Sequence, residues 1–327
     1  MACCDESLNK RCWKAKIIVI ASSPSKRGYA LLSIAAALLT IGLKFGAYLL
    51  TGSVGLFSDA AESVVNLIAA IMALWMLTIA ARPPDDIHVF GHSKAEYFSS
   101  GLEGMLIILA AASIAWTSWG RLFDPQPLQR VNIGLMLSLL ATAINGSVAL
   151  ILRRAGRRLR SITLQADAQH LLTDVWTTAG VIIGIVLVEI TGWLVLDPLI
   201  ALLVAGQIVW VGFRLLRETS SGLLDSALSE ADQRTIASIL AVYEQQGMLF
   251  HAVRTRVAGP RRFVSLHVLV PGNWTVQRGH DTCEQIELAI VAALPECHVI
   301  THLEPLEDPT AWADQELDRA LNEGERI

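Results

Sequence analysis

Residues 29–80 read YALLSIAAALLTIGLKFGAYLLTGSVGLFSDAAESVVNLIAAIMALWMLTIA, two apolar runs broken once at Thr51-Gly52-Ser53. A bilayer core about 30 Å thick needs about 20 apolar residues per helix, so each run is long enough to cross. The pattern recurs, and spans are predicted at 29–51, 56–80, 98–123, 131–152, 164–190 and 198–216. The later breaks are Arg82-Pro83-Pro84, Asp124-Pro125-Gln126-Pro127, a run of arginines, Thr191-Gly192-Trp193 and Asp197-Pro198. Each carries residues that end helices.

Composition agrees with this reading. The 327 residues are 53% hydrophobic and 17% charged, with mean hydropathy +0.48, whereas a soluble domain carries about a quarter charged residues. The deficit lies between Tyr29 and Leu216; beyond Arg217 the composition is that of a soluble protein. The expected organisation is a tail at 1–28, a membrane domain at 29–217, a soluble domain at 218–308 and a tail at 309–327. The net charge of −4 is distributed by region and says little about partners. Membrane lipid is expected around the spans, and no nucleic acid.

Orientation follows from basic residues in short loops. The N-terminal segment holds Lys10, Arg11, Lys14, Lys16, Lys26 and Arg27, the second loop Arg82 and Lys94, and the fourth Arg153, Arg154, Arg157, Arg158 and Arg160. The first and fifth loops have none, and the third only Arg121 and Arg130 at its edges. Both termini and the even loops are therefore expected in the cytoplasm. Residues 17–21 are too short an apolar stretch for a signal-peptide core. The cysteines Cys3, Cys4, Cys12, Cys283 and Cys297 form no CxxC pair and fit neither a disulfide framework nor a zinc knuckle. Cys3 and Cys4 are read as part of an untidy tail, although acylation or metal binding would suit them. Cys283 and Cys297 are read as small buried fillers.

The soluble part reads as helix, strand, strand, helix, strand. Ser229-Glu230-Ala231-Asp232 marks a helix start, and Ile236, Ile239, Leu240 and Tyr243 keep a helical period towards Gly247. Residues 251–258 and 263–270 are β-rich and flank the turn Gly259-Pro260-Arg261-Arg262. A second amphipathic helix is predicted at 275–294 and a third strand at 298–303. An α+β sandwich with helices on one sheet face is the natural packing.

Ionisable residues inside apolar spans are costly and point to function. The second span holds Asp59, Glu62 and Asn66, and the fifth Asp167, His170 and Asp174. Glu62 and Asn66 share a helix face, as do His170 and Asp174, because each pair is four apart. Facing each other, the pairs offer about four nitrogen and oxygen ligands, which suits tetrahedral Zn²⁺. A single intramembrane carboxylate can equally be a packing hydrogen bond; two such pairs on separate spans favour a metal. Asp59 and Asp167, a turn earlier, are read as groups that steady the ligands or line the entrance. In the second loop Asp85, His88 and His92 can converge on an ion, the alternative being a solvated polar loop. In the soluble domain His302 and Glu304 lie on one strand face, His267 is on a neighbouring strand and His280 is in the helix. Such a set favours a zinc cluster over isolated sheet histidines, while His298 is read as bland.

The stretches 52–63, 85–96 (Asp-Asp-x-His-x-Phe-Gly-His-x-Lys-Ala-Glu) and 166–174 together resemble the cation diffusion facilitator family. The resemblance runs from Tyr29 to about Asp308. It implies a six-helix transporter, usually a homodimer, with a cytoplasmic metallochaperone-like, ferredoxin-like domain, exchanging a divalent metal for protons by alternating access. Carried over, it implies a transport site of Glu62, Asn66, His170 and Asp174, a loop site of Asp85, His88 and His92, and a cytoplasmic site of His251, His267, His280 and His302. Glu304 stands where the family often has Asp. Lys94 and Asp225 match a charge interlock between the membrane and soluble parts; either residue alone reads as a solvated surface charge. Many relatives carry Asp or His followed by Asp on the second span, and Glu62 with Asn66 departs from that. Asn supplies only a neutral oxygen, so the preference for zinc rests on His170, and Fe²⁺, Co²⁺, Cd²⁺ and Mn²⁺ stay open.

Metal ligands must be deprotonated to bind, so protons and metal compete. A site open alternately to each side then couples inward proton movement to metal export, with His170 the natural proton carrier. A membrane metalloenzyme is disfavoured by the absence of an HExxH helix or a nucleophile beside the histidine. A membrane-anchored metal sensor is disfavoured because an anchor needs no polar pairs in spans two and five. The expected setting is a bacterial inner membrane.

Overall fold

The protein, a computed structural model describing residues 26–51, 54–123, 132–313 and 315, begins with six long helices. These are α1 (Lys26–Thr51), α2 (Val54–Ala80), α3 (Ala95–Phe123), α4 (Asn132–Arg158), α5 (Ile162–Thr191) and α6 (Leu196–Leu223). By length and composition four of them, within α1, α3, α4 and α6, suffice to cross a membrane among the described residues. In α2 the segment Asn66–Ala80 is apolar but shorter. Each predicted span lies largely within one of these helices, and most helices run beyond the apolar run. The N-terminal cysteines and basic residues up to Ser25 fall outside the described residues.

Two cores organise the helices. Ala36, Leu77, Val148, Leu152, Leu164 and Leu171 join α1, α2, α4 and α5. Ile107, Ala111, Ala166, Ile208 and Leu215 join α3 and α6 to one face of α5. Gly104 and Gly212 let α3 and α6 approach closely: a Cβ at Gly212 would stand 2.7 Å from Ile108 and 3.2 Å from the Gly104 carbonyl. Small residues at such crossings allow the dense packing that holds helices together in lipid. Outward, Leu38, Trp75, Leu109, Trp116, Met136, Leu203 and Trp210 are all more than half exposed. That apolar belt is the surface a bilayer would cover.

The soluble domain follows as α7 (Glu230–Glu244), β1 (Leu249–Ala258), β2 (Arg261–Val270), α8 (Val276–Ala293), β3 (Cys297–Pro305) and a 3-10 turn, Pro309–Trp312. Ser229 caps α7 by accepting the Asp232 N–H, and Thr275 caps α8 by accepting that of Arg278. The sheet order is β1-β2-β3, with β1 antiparallel and β3 parallel to the central β2. Ile236 and Leu240 of α7, and Cys283, Ile286 and Ile290 of α8, cover one face against Val264, Leu266, Val268 and Val270. Cys283 is thus a buried filler, and Cys297 packs against the same core half-buried.

Register places chemistry on the opposite face. His251, His267 and His302 pair across the three strands in one row. The β1 register shifts between His251 and Arg254, where Ala252 takes φ +47°. One extra residue reverses the side-chain alternation, so His251, Arg254 and Arg256 share a face although their spacing is uneven.

Candidate transport site and metal clusters

Midway along the bundle, α2 and α5 meet through side chains. His170 Nε2 lies 2.6 Å from Asn66 Oδ1, and Asn66 Nδ2 donates to Asp174 Oδ2 at 2.6 Å. All three residues are at most 5% exposed. Asp174 Oδ2 also accepts from Asn145 Nδ2 of α4 at 2.8 Å, and Lys44 Nζ of α1 stands 3.9 Å from it. His170 Nδ1 and Asn145 Oδ1 have no hydrogen-bond partner among the described residues. Buried polar atoms are rarely left this way, and lone pairs so placed are open to a cation. Glu62 and Asp59 lie on α2, but their side chains fall outside the described residues. Asp167 is a turn before His170 and accepts from Ser33 Oγ of α1 at 3.0 Å.

The α2–α3 loop folds around Asp85. Its Oδ1 accepts the N–H groups of Ile87 and His88 at 3.1 and 2.6 Å, an Asx turn. His88 Nδ1 lies 3.2 Å from Oδ1 and His92 Nε2 lies 3.3 Å from Oδ2. One ligand atom from each of the three residues falls within 4.8 Å of the others. The His88 backbone hydrogen bond leads in holding the Asp85 carboxyl below its usual range, with partial desolvation opposing it. It is therefore ionised and ready for a cation at neutral pH.

On the sheet, Glu304 Oε2 sits between His251 Nε2 at 2.8 Å and His267 Nδ1 at 3.1 Å. These three form the second group with ligand atoms within 4.8 Å of one another. His302 stands at its rim, Nε2 3.4 Å from Glu304 Oε1 and its side chain 64% exposed. His280 stays apart. It is exposed on α8, which packs on the other sheet face, so the row and His280 are not brought together within one chain. His298 pairs in register with Phe263, away from the cluster.

The membrane and soluble parts meet at a joint. Lys94 Nζ lies 2.8 Å from Asp225 Oδ1, which Arg256 Nη1 also approaches at 3.2 Å. The Lys94 hydrogen bond leads, with Arg256 adding, in holding the Asp225 carboxyl below its usual range against partial burial. Arg256 also covers the Phe90 and Phe263 rings. The β1–β2 hairpin docks beside them: the Gly259 N–H donates to the Tyr97 hydroxyl at 3.0 Å, and Arg261 Nη1 donates to the Phe90 carbonyl at 3.2 Å. Gly259 has φ +59°, and a Cβ there would stand 2.7 Å from the Ser93 carbonyl, so glycine fits for two reasons.

Two family descriptions match the chain, "Cation efflux transmembrane domain" over residues 30–224 and "Cation efflux protein, cytoplasmic domain" over 228–306. The chain belongs to the cation diffusion facilitator family. Among relatives, the "Uncharacterized transporter sll1263" of Synechocystis sp. is 57% identical over 286 residues, 88% of this chain and 92% of its own length. The "Cation-efflux pump FieF" of Klebsiella pneumoniae is 30% identical over 282 residues, 86% of this chain and 92% of its own. FieF of Shewanella oneidensis is 29% identical, covering 85% and 94%. Family members are integral membrane transporters of cations and not enzymes.

Three buried polar residues that sequence reasoning passed over thus sit inside a cation efflux bundle. Lys44 and Asn145 touch Asp174, and Glu103 of α3 is fully buried. Each was visible as a lone polar residue within an apolar run. No spacing rule links them to α2 or α5, because only the packing of different helices brings them there.

Proposed function

We propose that this cation efflux transporter exports a divalent transition metal, Zn²⁺ by preference and otherwise Fe²⁺, Co²⁺, Cd²⁺ or Mn²⁺, from the cytoplasm in exchange for protons. The transport site is Glu62, Asn66, His170 and Asp174. The observation that carries this is the buried Asn66–His170–Asp174 network, which links the two polar helices with a free imidazole nitrogen beside it. A metal ion there must displace protons and cationic partners from these groups, which is the competition antiport needs. The loop group of Asp85, His88 and His92 organises the α2–α3 connection around a bound ion. The sheet cluster of His251, His267 and Glu304, with His302 at its rim, takes a regulatory ion; Glu304 between two imidazoles suits Zn²⁺. His280 joins only if supplied from beyond this arrangement, for example by a second copy in the homodimer. The working setting is a bacterial inner membrane, with both termini and the soluble domain in the cytoplasm, and the printed name "Cation-efflux pump" of the FieF relatives supports that direction of transport.

The test is flux in proteoliposomes with an imposed proton gradient. Asp174→Ala should abolish Zn²⁺ movement and proton counterflow while leaving folding intact, and His170→Ala should abolish flux or alter its pH dependence. Near-normal transport by both would remove these residues from the site; metal flux with no proton counterflow would refute antiport.

A further inference from the structure

After β3 the chain turns back across the end of the sheet. It leaves β3 at Pro305, on one edge, and returns to β1, on the other, where Arg254 Nη2 donates to the Gln315 carbonyl at 3.0 Å. The crossing is tied down along its length. The Leu306 N–H donates to the Val270 carbonyl at 2.8 Å, and Glu307 Oε2 accepts the Gly272 N–H at 2.8 Å. Asp308 Oδ1 caps the 3-10 turn by accepting the Thr310 N–H at 2.9 Å, and Ala311 within the turn is buried. Trp312 ends the turn. Its Nε1 donates to the Leu306 carbonyl at 3.1 Å, so the indole is fixed by a bond of its own. The ring stands edge-to-face beside His251, with centroids 5.8 Å apart and planes at 60°.

His251 needs such a neighbour. Its Nε2 faces Glu304, but its Nδ1 is buried and has no hydrogen-bond partner among the described residues. A metal-binding histidine ordinarily has its ring turned and held by a hydrogen bond at the second nitrogen. Here packing has to do the holding. Two rings pack against His251: His267, at 4.9 Å between centroids, and Trp312. His267 is itself a candidate ligand, which leaves the indole as the fixed wall. Exposure across the cluster is uneven in the same sense, since the His251 and Glu304 side chains are 8% exposed and that of His302, at the far side, 64%. We propose that Trp312 is the positioning residue of the sheet cluster. It holds the His251 imidazole with Nε2 turned to the ion and closes the β1 side, so the strap from Leu306 to Trp312 sets how tightly and how long a Zn²⁺ ion is kept. Exchange then runs past His302. The inference rests on the sheet cluster being an ion site.

Full-length protein carrying Asp174→Ala and His92→Ala, which leave the sheet cluster intact, is titrated with Zn²⁺ against a fluorescent chelator, and release is timed in excess chelator. Trp312→Ala should weaken binding by about 10-fold or more, chiefly through faster release. Trp312→Phe keeps a ring beside His251 and should stay near the parent. With Co²⁺ as the probe, the visible ligand-field bands should shift in Trp312→Ala and not in Trp312→Phe, a signature that loss of fold stability alone does not produce. Circular dichroism shows which variants fold; should Trp312→Ala not fold, Trp312→Leu, apolar but without a ring, takes its place. Parent-like affinity, release rate and bands in the folded ringless variant overturn the inference. So does a Trp312→Phe protein as weak as the ringless one, which would reduce the strap to a structural contact. A parent that holds no Zn²⁺ in this background fails at the sheet site itself, whereas one that holds it regardless of Trp312 fails only here.

Discussion

Lys44 offers the sharpest test of how a cation site can release its cargo. Its ammonium lies 3.9 Å from Asp174 Oδ2, with both side chains at most 6% exposed. At that distance an ion pair in surroundings of effective dielectric 20 is worth about 4 kcal/mol. A metal ion bound at Asp174 must take the oxygen from Lys44 and then sit close to its charge. If rotation of the lysine to other acceptors recovers between a third and two-thirds of the pair, about 1.4 to 2.8 kcal/mol of metal affinity is withheld. That corresponds to about 10- to 100-fold in dissociation constant. Lys44→Gln should therefore tighten Zn²⁺ binding by that factor and lower the maximal flux, because the ion leaves more slowly. Lys44→Arg keeps the charge and should stay near the parent affinity. The assay is competition with a fluorescent chelator, using full-length protein in which His92→Ala and His267→Ala disable the other clusters. A folded Lys44→Gln protein that binds Zn²⁺ no more tightly than its parent would refute the reasoning.

Asn66→Asp should raise metal affinity or shift selectivity, since it places a second charge beside Asp174; a flux profile over Zn²⁺, Fe²⁺ and Mn²⁺ unchanged from the parent means Asn66 is not a ligand. Glu304→Gln should abolish the sheet cluster's Zn²⁺ and the accompanying rise in melting temperature, read by titrating full-length protein with metal. Lys94→Asp should impair flux and Asp225→Lys in that background should restore part of it. The pair is half exposed and worth at most about 1 kcal/mol, so flux rather than melting is the readout. Asp225 has a lowered folded-state pKa, so its stabilisation exists above the unfolded value and is lost as pH falls through the folded one. The melting gap between the parent and Asp225→Asn should thus be open at neutral pH and close below about pH 4.

The helices, strands and caps were legible because their signals are local. Apolar runs ended at glycine and proline clusters, and Ser229 announced α7 in its own turn. The loop motif was equally legible, since Asp85 gathers His88 and His92 through hydrogen bonds within a few residues. The β1 bulge was not: nothing near Ala252 advertises it, and without it Arg254 and Arg256 would fall on the face away from His251. His280 shows the same limit from the other side. Its residue type fits a zinc cluster, but α8 has to bury Ile286 and Ile290 against the sheet, and that packing leaves His280 behind the histidine row.

The membrane site shows why lone polar residues were the hardest to read. In an apolar span one lysine, asparagine or glutamate can be satisfied by any neighbour, so its identity alone does not state its job. Paired positions on α2 and α5 carried a signal because two turns of one helix agreed. Lys44 and Asn145 carry theirs only through Asp174, 130 and 29 residues distant in sequence. What distinguishes them once packed is the accounting of charge. Lys44 and Asn145 both turn to one oxygen of Asp174. A site that must bind and release a divalent ion needs its carboxylates compensated when empty. The contacts of Lys44 and Asn145 with Asp174 supply that compensation from within the bundle.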